Sequence, residues 1–211
     1  AGNDIARMRA ALAGYHDALN LWPDSLLAAR GLERLAEQLK DRDALITANR
    51  ALARLVDSSP RRAGHFVRAA QLTAEEPGLL GVAIDLYEQA LLEDPDCDAA
   101  VLALARGLAT EPVRLVDRLG TALERARKST QIVLLGMEIG KAVLRHFDAG
   151  GTSPDPSVGT AAIRRALAVA PEDAAALMLS AKLYSAQRLY SEARDAWQRV
   201  VAAARHFEIR V

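Results

Sequence analysis

The sequence predicts an all-α chain of repeated helix pairs, and three observations carry that reading. Alanine supplies 43 of the 211 residues, whereas Phe, Trp and Tyr together supply nine. Alanine has the best intrinsic helix propensity and lets helices approach closely; the residues that suit a pleated surface are comparatively scarce. No segment shows sustained period-two alternation, so no sheet is expected. One short pattern also recurs along the chain at intervals in the thirties, the mark of a repeat architecture.

The pattern is a small residue, a bulky one four later, a small-plus-aliphatic step three beyond, and often an acid with proline. It opens at Tyr15, Ala18 and Leu19, followed by Pro23-Asp24. It returns at Ala44, Ala48 and Ala51-Leu52, with Pro60 displaced outward. The clearest copy runs from Ala83 through Tyr87 to Ala90-Leu91 and closes on Asp94-Pro95. A weaker copy is Leu119, Ala122-Leu123 and Ala126; then come Gly159, Ile163, Ala166-Leu167 with Pro171, and Ala193, Trp197, Val200-Val201. The anchors at 18, 51, 90, 126, 166 and 200 are 33, 39, 36, 40 and 34 residues apart. Prolines stand five residues after three of them, at 23, 95 and 171, which chance placement of alanine would not arrange.

A second helix lies between successive anchors. Leu26 to Leu39 has apolar residues at 26, 27, 32, 35, 36 and 39, one helical face. Ala99 to Leu108 and Ala174 to Ala186 behave alike. Each starts after a Pro-Asp, Asp-Pro-Asp or Pro-Glu-Asp step, where proline stops the preceding helix and the acid suits the next N-terminus. The unit is therefore helix, turn, helix, turn. The expected bounds are a half repeat at 1–25, then 26–60, 61–97, 98–131, 132–173 and 174–211, as one repeat domain. A long irregular loop is expected at 148–157. Because the chain opens on Ala1-Gly2 and on a half repeat, it reads as a piece of a longer array.

These residues resemble the tetratricopeptide repeat, and the likeness covers essentially the whole chain. The best copies are 64–97 and 174–207; in the latter Leu177, Ala181, Tyr184, Ala193 and Trp197, with Pro171 upstream, match the family's packing positions. Glu33 and Gln71 depart from the small-residue position that Ala105, Gly140 and Ala181 keep, so the array is degenerate. The resemblance implies a right-handed superhelical array, an α-solenoid of about eleven helices in antiparallel pairs, with each unit's first helix on the concave face. It also implies core positions for Tyr87, Tyr184 and Trp197. Tyr15 and Trp22 adjoin the first turn and are expected to staple it. Alanine and arginine usage is of a bacterial type.

Lys plus Arg equals Asp plus Glu at 27 each, so the basic surplus of a dedicated nucleic-acid binder is missing. No apolar run is long enough to span a membrane. No secretory signal opens the chain, and the compartment stays open. Cys97 is the one cysteine, which excludes an intrachain disulfide and a cysteine-based zinc cage; it reads as a small core residue. No nucleophile elbow, P-loop, dinucleotide fingerprint or zinc-protease motif occurs. Gly150-Gly151-Thr152-Ser153 lacks a following Lys and a preceding strand. His16, His65, His146 and His206 fall in different units and read as solvated or hydrogen-bonded. The acids Glu75, Glu76, Asp94, Asp96 and Asp98 lack the central Gly and terminal Glu of a calcium loop. No catalytic residue, cofactor or metal is expected.

Charge distribution is what remains. The first helices carry Arg30, Arg34, Arg61, Arg62, Arg68, Arg106, Lys141, Arg145 and Lys182 against Glu33, Glu37, Asp98 and Glu138. Arg34, Arg106, Lys141 and Lys182 stand at nearly equivalent places, with Arg30 and Arg68 one turn away. The expected function is a protein–protein interaction scaffold, with Arg30, Arg34, Arg68, Arg106, Lys141 and Lys182 contacting an acidic protein or peptide segment. The competing expectation is that these cations are solvated or paired with Glu33, Glu37 and Glu138. The family's carboxylate clamp for chaperone tails needs asparagines on these helices, and Asn3, Asn20 and Asn49 lie elsewhere. Alternatives are a regulatory or targeting module of a larger enzyme or envelope or secretion machine, and self-assembly into a homo-oligomer through the terminal helices.

Overall fold

The computed structural model describes the backbone of residues 2–148 and 154–208, and the side chains of 4–147 and 154–204. Among the described residues there are eleven helices and no strand. They are α1 (Gly2–Leu21), α2 (Leu26–Leu39), α3 (Arg42–Leu55), α4 (Ser59–Ala74), α5 (Leu80–Glu93), α6 (Asp98–Gly107), α7 (Pro112–Arg125), α8 (Ser129–Asp148), α9 (Pro156–Val169), α10 (Ala174–Ala186) and α11 (Tyr190–Glu208). Even-numbered helices are the first members of the expected units and odd-numbered ones the second. Residues 149–153, which hold most of the expected long loop and its glycine run, lie outside the described residues.

Local chemistry explains the helix starts. The side chains of Ser25, Asp41 and Asp173 each accept a hydrogen bond from the backbone N–H three residues on, capping α2, α3 and α10. Pro60, Pro112 and Pro156 occupy the first turns of α4, α7 and α9, where a missing N–H costs no helical bond. The stops are equally local: α1, α5 and α9 end within two residues of Pro23, Pro95 and Pro171. Lys40 and Arg188 close α2 and α10 in the left-handed conformation, at φ 55° and 61°. Glycine is the usual residue there.

Packing divides the chain into two compact units, 1–100 and 101–211. In the first, α1 packs on α2, α2 on α3, α3 on α4 and α4 on α5. Its core is lined by small and aliphatic side chains, with Ala29, Leu32, Ala36, Ala48 and Leu52 fully enclosed. Tyr15 packs its ring against Gly31, where an added Cβ would meet the ring at 2.5 Å, so Tyr15 does staple α1 to α2. Trp22 does not: it is 66% exposed at the corner after α1.

In the second unit α7 packs on α8, α8 on α9, both α8 and α9 on α10, and α10 on α11. Glycines set the spacing. A Cβ on Gly136 would lie 2.8 Å from the Ala162 carbonyl oxygen, and one on Gly140 would lie 2.9 Å from both Ile163 and Leu179. Three helices therefore meet over Gly140. Tyr87 and Tyr184 are half-buried, whereas Trp197 is 40% exposed and is no core residue here. Its counterpart Ile163 on α9 is fully enclosed. The difference on the α9 side is that α10 lies over it.

Candidate interaction surface

Arg30, Arg34, Arg68, Arg106, Lys141 and Lys182, the cations the sequence placed on the first helices, are all exposed. On α2, residues 28, 29, 31, 32, 35 and 36 are buried, leaving Arg30 and Arg34 exposed four apart on one face. On α4, Arg68 is exposed between buried Val67 and Ala69. Arg106 on α6 and Lys182 on α10 are likewise exposed beside buried Ala105 and Ala181. The side chains of Arg30, Arg34, Arg68, Arg106 and Lys182 make no hydrogen bond or ion pair among the described residues. Lys141 differs, since its Nζ donates to Glu138 Oε1 at 2.7 Å within α8. Its charge is largely answered by that buried carboxylate.

Arg62 is a structural residue. Its guanidinium donates to Glu93 at 2.7 Å, to the Val56 and Asp57 carbonyls and to Ser59 Oγ, tying α4 to the turn before it and to α5. Arg61 and Arg145 are exposed.

Beside Arg30 and Arg34 lies a polar cluster that sequence reading did not assemble. Buried Asn49 on α3 donates from Nδ2 to the Leu45 carbonyl at 2.9 Å, leaving Oδ1 to accept from His65 Nδ1–H on α4 at 2.9 Å. That bond places the neutral ring's proton on Nδ1 and leaves Nε2 as its acceptor. Glu33 Oε1 lies 3.8 Å from the same Nδ1. Burial pulls the His65 pKa below its ordinary value; Glu33 opposes this and the Arg30 charge reinforces it. Glu33, which departs from the small residue expected at its position, faces His65. Of the other histidines, His16 bonds Asn20, and His146 reaches the Ala109 carbonyl at 3.0 Å. The His206 side chain lies outside the described residues.

In the second unit a further regularity appears. Four residues before each of its three candidate cations stands a large apolar side chain: Leu102 before Arg106, Met137 before Lys141, Met178 before Lys182. Leu102 and Met178 are 37% and 41% exposed, and Met137 is half-buried. The sequence carried this signal, but apolar residues on a helix are assigned to the core by default. Only their exposure separates them from it.

Among the described residues no three His, Cys, Asp or Glu side chains are placed to hold a metal ion. Glu76 binds Arg42, and the Asp94 carboxylate accepts the Asp96 N–H. The Cys97 thiol is half-buried in the turn before α6, and burial pushes its pKa up, with Asp94 and Asp98 acting the same way. It is a weak nucleophile there. Among the described residues no helix is long and apolar enough to cross a membrane. An open cleft of about 450 Å³ between α9, α10 and α11 sets Arg164 and Arg199 against Glu192 and Asp195.

Paired helices, small residues at the crossings and proline-closed turns define a tetratricopeptide-like helical-hairpin array. The chain is similar to the crystal structure of MamA protein, at 15% identity and a TM-score of 0.50, covering 83% of this chain and 89% of that one. A second similar structure is YrrB, described as a TPR protein with an unusual peptide-binding site, at 16% identity and a TM-score of 0.49; 90% of this chain and 91% of that one are covered. Both are likenesses of fold. No protein-family model and no curated protein matches the chain.

Proposed function

We propose that this chain is a protein-interaction scaffold whose first-helix faces hold a partner segment bearing acidic and apolar side chains. The observation that carries the reading is the apolar–cation pair repeated on three first helices of the second unit: Leu102 with Arg106, Met137 with Lys141 and Met178 with Lys182. A partner side chain buried on the apolar member gains stability with area, while a carboxylate reaches the cation four residues on. Lys141 serves less, because binding there must compete with Glu138. In the first unit Arg30, Arg34 and Arg68 take the charged role, with Glu33 and His65 between them as polar neighbours. Each exposed charge contributes little alone, so affinity rests on several acting together. The chain's own role is to bind and not to catalyse.

The test is fluorescence polarisation with a labelled peptide of alternating Glu and Leu, beside a Lys and Leu peptide of equal length. The acidic peptide should bind more tightly, and raised salt should weaken it because the pairs are exposed. Arg106→Glu combined with Lys182→Glu should lower affinity at least about tenfold while leaving the helical circular dichroism intact. Equal binding of both peptides, or no change in the double variant, would sink this assignment.

A further inference from the structure

The cleft between α9, α10 and α11 is a second surface, turned away from the first-helix cations. At about 100° per residue, Ser180 and Tyr184 on α10 face the side opposite Lys182. All three walls of the cleft belong to the second unit. Gln187, just past α10, reaches the Pro156 carbonyl at the start of α9 at 3.3 Å. Arg199, late in α11, donates to the Pro171 carbonyl ahead of α10 at 3.0 Å. Thus α10 runs antiparallel to both neighbours, and α9 and α11 point the same way along the two sides.

The floor holds a hydroxyl with no protein partner. Thr47, Thr73, Thr121, Thr160 and Ser185 each donate to the carbonyl four residues before, the local bond open to a hydroxyl inside a helix. Ser180 is 5% exposed and lines the cleft, yet its side chain makes no hydrogen bond among the described residues. The Tyr184 hydroxyl, one turn on, makes none either. A hydroxyl in that state takes its partner from whatever fills the cleft, water or a ligand.

The charges on the walls are sorted along the cleft. Glu192 and Asp195 stand two and five residues into α11, whereas Arg199 stands nine into α11 and Arg164 eight into α9. One end is therefore acidic and the other basic. The Arg164 side chain makes no hydrogen bond or ion pair among the described residues, and Arg199 bonds the Pro171 carbonyl. Asp195 has only exposed Arg194 at 3.6 Å, and the Ser191 hydroxyl holds the Glu192 carboxyl below its ordinary pKa. Among the described residues no ion pair joins the two ends.

We propose that this cleft binds a short peptide by its two charged ends. The C-terminal carboxylate sits between Arg164 and Arg199, the N-terminal ammonium at Glu192 and Asp195, and an intervening amide on the Ser180 and Tyr184 hydroxyls. Helical rise sets the length: from Asp195 or Glu192 to Arg199 is roughly 6–10 Å, the span of about two or three residues of extended chain. A single amino acid is too short. The cleft volume of about 450 Å³ suits a ligand of that size.

Triglycine is the probe, titrated into the isotope-labelled 211-residue protein and followed by amide chemical shifts. Saturable shifts confined to α9, α10 and α11 are expected. N-acetyl-triglycine amide, which lacks both charges, should bind at least about tenfold more weakly. Ser180→Ala should weaken triglycine about fivefold and Arg164→Ala about threefold, with helical circular dichroism retained. The absence of saturable shifts, equal binding of the capped peptide, or indifference to both substitutions would overturn the proposal. So would acetate binding as tightly as triglycine, which would make the cleft a simple anion site. Arg106→Glu with Lys182→Glu should leave this binding unchanged, so failure here is separable from failure of the first-helix reading.

Discussion

The two compact units solve the same packing problem with different chemistry. In the first, side chains tie helices together through charge and hydrogen bonds: Arg42 to Glu76, Arg62 to Glu93, and His65 to Asn49 with Glu33 near by. In the second, helices come so close that glycine is required, with Gly136 against the Ala162 backbone and Gly140 and Gly159 against Ile163, Val143 and Leu183. One unit should therefore respond to pH and to loss of polar partners. The other should respond to volume.

The sharpest way to break the comparison is a methyl-bearing side chain at the α8–α9 crossing. Gly136→Val would push against a carbonyl oxygen that cannot rotate away, and should cost about 3 kcal/mol or more. Gly31→Ala in the first unit meets only the Tyr15 ring, which can swing on half-buried α1; about 1 kcal/mol is expected. Urea midpoints followed by circular dichroism would read both, and equal losses would erase the distinction.

Next in size is the Asn49 cluster. Asn49→Leu strands the His65 Nδ1–H, at a cost of about 1–3 kcal/mol. Adding His65→Leu should return part of that loss, because both polar partners are then gone. A strictly additive double mutant would mean the hydrogen bond contributes nothing.

The pH prediction has a definite sign. Burial holds the folded-state His65 pKa below its unfolded value. Stability from this group is complete above the unfolded pKa and falls as pH drops through the interval between the two values. Unfolding free energy of the parent should therefore decline on acidification below about pH 6.5 more steeply than that of His65→Gln. Parallel profiles would remove the histidine from the account.

The smallest effect should be common to both units. Lys40→Gly and Arg188→Gly relieve a left-handed residue at a helix end, and each should stabilise by up to about 1 kcal/mol. A thermal melt checks this; a gain in one unit only would show that the side chain itself matters in the other.

The sequence by itself determined the all-helical repeat architecture of about eleven helices and the bounds of helices such as Leu26–Leu39 and Ala174–Ala186. Those features depend on bonds four residues apart, on caps such as Asp41 and Asp173 within one turn, and on Pro23, Pro95 and Pro171. It also named the candidate cations Arg30, Arg34, Arg68, Arg106, Lys141 and Lys182, which are exposed. Only the tertiary structure decided which charges remain unpaired. Arg62 is held by Glu93 and three oxygen acceptors, one of them from residue 56, and Lys141 is answered by Glu138, whereas Arg106 and Lys182 have no such partner among the described residues. It decided likewise that Ile163 is enclosed and Trp197 is open, although both fill the same place in the repeat. Exposure is set by whatever packs from the next unit some thirty residues away, and a repeat pattern does not record whether that neighbour is there.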